Sequence, residues 1–214
     1  MAFHRKVIGI DLAGSTKRDS GVAVLSKNKF LLVATAKSDA EMLSLIKKYR
    51  PELVAIDAPL SLPGGRKSLK HNNGVHFREC DIQLRKAGIR FFPITLGPMR
   101  MLTARGMRLS RKIRRMGVAV IEVFPGAAYD MLGVQRKDKR GILKLFRKLD
   151  LGFEDREYTQ DELDGMCCAH TALLVLEEKA RAFSGKDGAI WAPASGKKQR
   201  KANLFKPLYE KIFI

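Results

Sequence analysis

Two apolar runs of the chain each end in an acid: Lys6–Asp11 reads Lys-Val-Ile-Gly-Ile-Asp and Leu53–Asp57 reads Leu-Val-Ala-Ile-Asp. A carboxylate closing a buried strand is costly unless something pairs with it. In open α/β sheets, ligand sites form beyond the carboxyl ends of the strands. Glu122 lies inside a third apolar run, Val118–Val123. Asp161 and Asp164 are three apart in a helical segment and so share a face. From Asp164 that face continues through Cys168, Thr171 and Val175, which turns it toward the sheet. Carboxylates gathered at one sheet edge repel each other, and a divalent cation resolves the conflict. Mg²⁺ takes oxygen ligands, keeps several waters and uses one or two carboxylates with substrate phosphate. Two such ions about 3.5–4 Å apart activate a water and stabilise the leaving oxygen in phosphodiester cleavage. The residue types therefore point to Asp11, Asp57, Asp161 and Asp164 as ligands of Mg²⁺ or Mn²⁺, with Glu122 as a further catalytic acid. Structural explanations compete. The helix macrodipole favours Asp161, the turn at Ala58-Pro59 favours Asp57, and Glu122 can pair with an arginine of the stretch before it.

The charge balance suggests what those acids would act on. Lys and Arg number 41 against 22 Asp and Glu, a net charge of +19, and the isoelectric point is near 10.1. Such a body attracts polyanions, of which nucleic acid is the commonest; a thermophile composition effect is the alternative. Residues 59–116 hold 14 Lys and Arg against two acids, Glu79 and Asp81. Arg100, Arg105 and Arg108 are the expected phosphate contacts, with Arg78 beside them. The Ala13-Gly14-Ser15-Thr16 turn would add backbone N–H groups and the Ser15 and Thr16 hydroxyls next to Asp11. A solvated basic face is the competing explanation for the arginines, and Asp81 with Arg85 has the spacing of an ordinary i,i+4 pair. Trp191 and Phe91-Phe92-Pro93 read as packing residues.

Several classes are excluded. At 214 residues, 45% hydrophobic and 29% charged, the chain reads as one globular domain, 1–214. No apolar run approaches the roughly 18–20 residues of a membrane helix, and the first residues lack a signal-peptide h-region. A cytoplasmic protein is expected. Cys80, Cys167 and Cys168 read as reduced core thiols. His71, His76 and Cys80 lack the fourth ligand and the spacing of a zinc site.

The elements that must position the acids follow from periodicity. Strands are expected at Lys6–Asp11, Gly21–Ser26, Phe30–Ala36, Leu53–Asp57, Val118–Val123 and Ala189–Pro193. Helices are expected at Asp39–Tyr49, near Phe77–Ala87, Pro98–Met116, Ala127–Leu132 and Arg140–Leu149. The longest helix runs from Thr159 to Phe183, opened by the capping box of Thr159 and Glu162. Residues 59–116 form a basic helical insertion between two sheet strands, and 196–214 a basic C-terminal tail. Mixed strand and helix order of this kind gives an α/β fold.

This pattern resembles the ribonuclease H-like superfamily. The marks are Ile8-Gly9-Ile10-Asp11 followed by the hairpin strand Gly21–Leu25, Val54-Ala55-Ile56-Asp57, and Asp161-Glu162-Leu163-Asp164-Gly165. More narrowly, the chain looks like a poorly characterised prokaryotic family of predicted nucleases with this fold. The matching segments are Ile56-Asp57-Ala58-Pro59-Leu60, Arg78-Glu79-Cys80-Asp81, Met99-Arg100-Met101-Leu102-Thr103-Ala104-Arg105-Gly106, Ile121-Glu122-Val123-Phe124-Pro125-Gly126 and Gln160-Asp161-Glu162-Leu163-Asp164. The resemblance implies three antiparallel strands followed by parallel ones, flanked by helices. It also implies a metal-dependent acid cluster like that of Holliday-junction resolvases, with Asp11 central, Asp57 second, and Asp161 or Asp164 last. Two positions depart from the pattern: resolvases generally carry glutamate where Asp57 stands, and many relatives have alanine at Gly165. The implied activity is divalent-metal-dependent hydrolysis of DNA or RNA, on branched or structured forms, by a possible homodimer. The alternatives are a non-catalytic nucleic-acid-binding protein of the same fold and a single phosphotransferase lobe like those of actin and sugar kinases. Asp11–Thr16 resembles the first phosphate turn of that last group.

Overall fold

Residues 5–194 are described by a computed structural model. Period-two alternation in the first strand sets the architecture. In β1 (Lys6–Asp11), Val7 and Gly9 face one side of the sheet and Ile8 and Ile10 the other, and all four are buried. A strand buried on both faces needs cover on both. β1 pairs antiparallel with β2 (Ser20–Ser26), which pairs antiparallel with β3 (Lys29–Ala36). On its other side β1 is parallel to β4 (Leu53–Asp57), and β4 to β5 (Ala119–Val123). The seven-stranded order is β3-β2-β1-β4-β5-β7-β6, with β6 at Ala180–Gly185 and β7 at Gly188–Pro193. Three antiparallel strands followed by parallel ones is the ribonuclease H-like arrangement.

Helices cover the two faces. α1 (Asp39–Tyr49) starts where the Ser38 hydroxyl accepts the Glu41 N–H and stops at Arg50, which takes a left-handed conformation. It lies on the Ile8/Ile10 face through Met42 and Ile46. α3 (Gly97–Arg115) joins it there through Leu109 and Ile113. The opposite face is covered by α4 (Pro125–Leu132), α5 (Lys139–Lys148) and α6 (Gln160–Leu176). α2 (Glu79–Lys86) packs Cys80 and Leu84 with Phe183 and Ile190 of β6 and β7. The segment expected as an insertion therefore supplies cover for the sheet, with α3 as the crossover between β4 and β5.

The expected helix Thr159–Phe183 is shorter, and α3 is the longest. α6 ends at Leu176, and a left-handed Glu178 (φ 58°) redirects the chain into β6. No glycine or proline marks that stop. The capping box holds: the Thr159 hydroxyl accepts the Glu162 N–H, and Glu162 accepts the Thr159 N–H at 2.8 Å. Trp191 is buried as expected, whereas Phe92 is 71% exposed. All three cysteines are free and buried. Among the described residues no helix is long and apolar enough to cross a membrane. The basic tail 196–214 lies outside the described residues.

Candidate active site

Asp11 and Asp57 are the terminal residues of neighbouring parallel strands and are register partners. Alternation turns both to the face covered by α6, because Val7 and Gly9 precede Asp11 there and Leu53 and Ala55 precede Asp57. α6 can approach only where the sheet carries no side chain. A Cβ on Gly9 would stand 2.1 Å from the Ala169 nitrogen, and one on Gly21, the antiparallel partner of Asp11, 1.7 Å from the Asp161 carbonyl oxygen. On the helix, a Cβ on Gly165 would meet the Gly21 backbone at 3.1 Å. The helix cost of Gly165 is thus the condition for close packing. Three glycines bring the first turn of α6, with Asp161 and Asp164, onto the edge that carries Asp11 and Asp57.

Electrostatics records the convergence. Burial pushes the Asp11 carboxyl well above the ordinary 3.8, and Asp57, Asp164 and Asp161 push it further; Arg18 partly offsets them. Asp57 is likewise raised, first by burial and then by Asp164 and Glu122. Burial lifts Asp164 to about 6, although the neighbouring Tyr129 hydroxyl and Gln160 amide pull the other way. The Gln160 amide donates to Asp164 Oδ1 at 2.9 Å. Gln160 thus holds Asp164 in place, and the Tyr129 hydroxyl beside it donates to the Leu163 carbonyl at 3.1 Å. The Gln160–Asp164 spacing of four was a legible signal for the first; nothing in the chain marks Tyr129. Among the described residues no three His, Cys, Asp or Glu side chains form a group close enough to clasp an ion. The acids share an edge and a mutual repulsion, and their donor atoms are all hard oxygens.

Glu122 does not join them on that face. As the register partner of Ile56 it lies on the opposite side of the sheet from Asp57. Its two oxygens accept from Arg78 Nη2 and Nη1 at 2.6 and 2.7 Å, and Oε2 also accepts the Leu60 N–H at 2.8 Å. Arg78 is 1% exposed. Its remaining N–H groups go to Asp81, from Nε and Nη2 at 3.1 and 2.8 Å, and to the Ser61 hydroxyl at 3.0 Å. All five guanidinium donors are engaged. Burial opposes the charge of Arg78, but Glu122 and Asp81 hold it above its ordinary value. The pairing of Glu122 with an arginine of the preceding stretch is therefore the structural one, and Asp81 bonds to Arg78 instead of Arg85. Arg78 ties β5, α2 and the chain after β4 together and offers no donor to a phosphate.

Arg105 is also buried, at 1% exposure. Its Nε donates to Asp39 at 2.9 Å and its Nη1 to the Ala13 and Ser15 carbonyls at 2.7 and 3.3 Å. It holds the turn beside Asp11 instead of facing solvent. Helical spacing was the available signal, since Arg105 shares a face with Leu102, Gly106, Leu109 and Ile113. Arg100 and Arg108 are exposed on the outer face of α3, with Arg111, Lys112 and Arg115 further along. Thr16 is exposed, and the half-buried Ser15 hydroxyl accepts the Lys17 N–H at 3.2 Å.

A cavity of about 520 Å³ adjoins the acids at the same sheet edge. Asp57 contributes to its wall, with Arg78, Asp81 and Glu122 at the buried end. Phe91, Phe92 and Phe124 line it beside Met99 and Leu102. Arg136 stacks on Phe124 at 5.1 Å.

Among solved structures, Thermus thermophilus RuvC in complex with a Holliday junction substrate is similar over 87% of this chain and 99% of that one, at 16% identity and a TM-score of 0.49. A second Thermus thermophilus RuvC structure covers 81% and 96%, at 16% identity and a TM-score of 0.47. No curated protein matches the chain. Residues 9–188 match a family model, and the span runs from the β1 glycine under α6 to the turn that opens β7: the chain belongs to the family described as protein of unknown function, DUF429.

Proposed function

We propose that this protein is a divalent-metal-dependent nuclease that hydrolyses phosphodiester bonds of DNA or RNA. The observation that carries this reading is that Asp11, Asp57 and Asp164 share one sheet edge, each raised by burial and by neighbouring carboxylates. Glu122 on the other face accepts three N–H groups, whereas among the described residues no hydrogen bond is donated to the Asp57 carboxylate. Hard oxygen donors in a repelling group suit Mg²⁺ or Mn²⁺, which typically takes one or two carboxylates, waters and substrate phosphate. Asp11 and Asp57 would hold the ion, with Asp164 and Asp161 as further ligands. Once bound, the ion supplies Lewis-acid stabilisation of the phosphoryl oxygens and a more acidic water.

The chain's own residues do the rest. Gln160 fixes the Asp164 carboxylate. Arg105 fixes the 13–15 turn beside Asp11, so that its backbone and the Ser15 and Thr16 hydroxyls border the reacting phosphate. Arg100 and Arg108, exposed on α3, hold the flanking backbone of the polyanion.

The deciding experiment compares wild type with Asp11→Asn on labelled DNA and RNA, single-stranded, duplex and branched, with and without Mn²⁺. Metal-dependent cleavage by wild type and its loss in a folded Asp11→Asn protein support the reading. Full activity in the variant overturns it. Binding that weakens steeply with salt, without metal-dependent turnover, would show a nucleic-acid-binding protein that kept the fold.

A further inference from the structure

The cavity beside Asp57 is not used by the cleavage chemistry above, and its lining has a chemical bias. Its walls are apolar and aromatic: Phe91, Phe92, Phe124, Met99 and Leu102. Phe92 is 71% exposed, an aromatic ring left in water at the mouth of a pocket instead of packed in the core. Exposed Arg90 and half-buried Arg136 also line the cavity. The inner end is polar but one-sided. Arg78 has no donor left, because Asp81, Glu122 and Ser61 take all five of its N–H groups. What the inner end presents to a ligand is carboxylate oxygen: Asp81 Oδ1 and Glu122 Oε1 each accept a single N–H, from Arg78 Nη2 at 2.8 and 2.6 Å. Ionised carboxylates only accept hydrogen bonds.

We infer that this cavity receives one unstacked nucleobase of the nucleic acid, and that its acceptor-only inner end selects a base with an exocyclic amino group. The inference rests on the nuclease reading for the placement of the sugar-phosphate over Asp57. Its volume of about 520 Å³ lies within the roughly 300–1,000 Å³ of small-molecule sites. A base taken out of its stack regains a π-face on Phe92, and its flanking phosphates fall near the exposed Arg90, since Arg136 is paired with Asp130. Adenine and cytosine bring an amino group to the carboxylates. Thymine and uracil have no amino group, and their one imide N–H lies between two carbonyl oxygens that the carboxylates repel. A base seated here also sets which phosphodiester lies beside Asp57.

The test is binding, measured by fluorescence anisotropy in EDTA so that no cleavage intervenes. The probes are short duplexes, in DNA and in RNA, with one unpaired central nucleotide: adenine, cytosine, thymine or uracil, or an abasic site. In at least one of the two series, wild type should bind adenine and cytosine about tenfold more tightly than the abasic probe, with thymine or uracil close to abasic. Phe92→Ala, at a solvent-exposed position, should bind all probes of that series alike, and Phe92→Trp should restore the discrimination. Indifference of wild type to base identity in both series overturns the inference, as does discrimination that survives in Phe92→Ala. The two readings fail separately. Base discrimination without metal-dependent cleavage refutes only the nuclease, and cleavage without base discrimination refutes only the pocket.

Discussion

Replacing Asp11 by asparagine should stabilise the metal-free protein at neutral pH. The side chain keeps its shape and loses a charge that burial, Asp57, Asp164 and Asp161 all oppose. The scale comes from its neighbour. A carboxyl moved from 3.8 to about 6, as Asp164 is, carries at most about 3 kcal/mol of opposition to its charged form, less where solvent reaches it. A gain of about 1–3 kcal/mol is therefore expected, roughly 2–12 °C in Tm for a chain of this size. Because the folded-state midpoints lie above the unfolded ones, the folded protein holds more protons, and stability falls as pH rises. For Asp164 the fall begins near the ordinary 3.8 and passes through about 6. The difference between variant and wild type should be small at pH 4 and grow as the pH rises toward the raised midpoint of Asp11. Taking the difference removes the pH response of the other acids. Thermal melts of both proteins across this range, with EDTA and with Mg²⁺, form the assay. Mg²⁺ should raise the Tm of wild type much more than that of Asp11→Asn. A variant less stable than wild type at pH 7.5, or a difference independent of pH, would refute the idea that Asp11 is held against its neighbours' charge.

Other perturbations reach different parts of the molecule. Gly21→Ala places a Cβ 1.7 Å from the Asp161 carbonyl oxygen. Overpacking of this kind costs about 1–3 kcal/mol or more, and a displaced α6 should also blunt the Mg²⁺-induced rise in Tm. Arg78→Ala leaves Glu122 and Asp81 buried without their cation; a loss of about 3–5 kcal/mol is expected in denaturant unfolding. Replacing Arg100 and Arg108 together by alanine should leave Tm unchanged and weaken DNA or RNA binding. The slope of log K against log salt should then fall by about one for each phosphate that the protein no longer neutralises.

Much of the sheet and part of the site are written in local pattern. Asp11 and Asp57 announce themselves because each closes an apolar run, and strand alternation then decides their face. Asp164 is found through the apolar stripe behind it. The mixed α/β order follows from three strands on short turns, a helix and a further strand, while the ribonuclease H-like pairing of those strands is implied by the resemblance of the motifs. What local pattern does not carry is the partner across the fold. Arg78 and Glu122 lie 44 residues apart, and a basic segment reads as surface until its arginines meet buried acids. Arg105 is the instructive case: its charge suggests phosphate, while its helical position beside Leu109 and Ile113 places it in the core. The end of α6 is silent for another reason. Glu178 adopts a left-handed conformation that propensity assigns to glycine, so β6 begins without a breaker. Phe92 reads as a packing residue from its neighbours Phe91 and Pro93, yet the pocket leaves it in solvent.

The central claim is that Asp11, Asp57 and Asp164 form one ion-binding edge. Anomalous diffraction from crystals soaked in Mn²⁺ addresses it without reliance on substrate or turnover. The account predicts a peak bonded to Asp11 and Asp57, beside Asp164, that disappears in Asp11→Asn crystals soaked in the same way. Soaked wild-type crystals with no density at that edge, or with manganese bound only elsewhere, would contradict it.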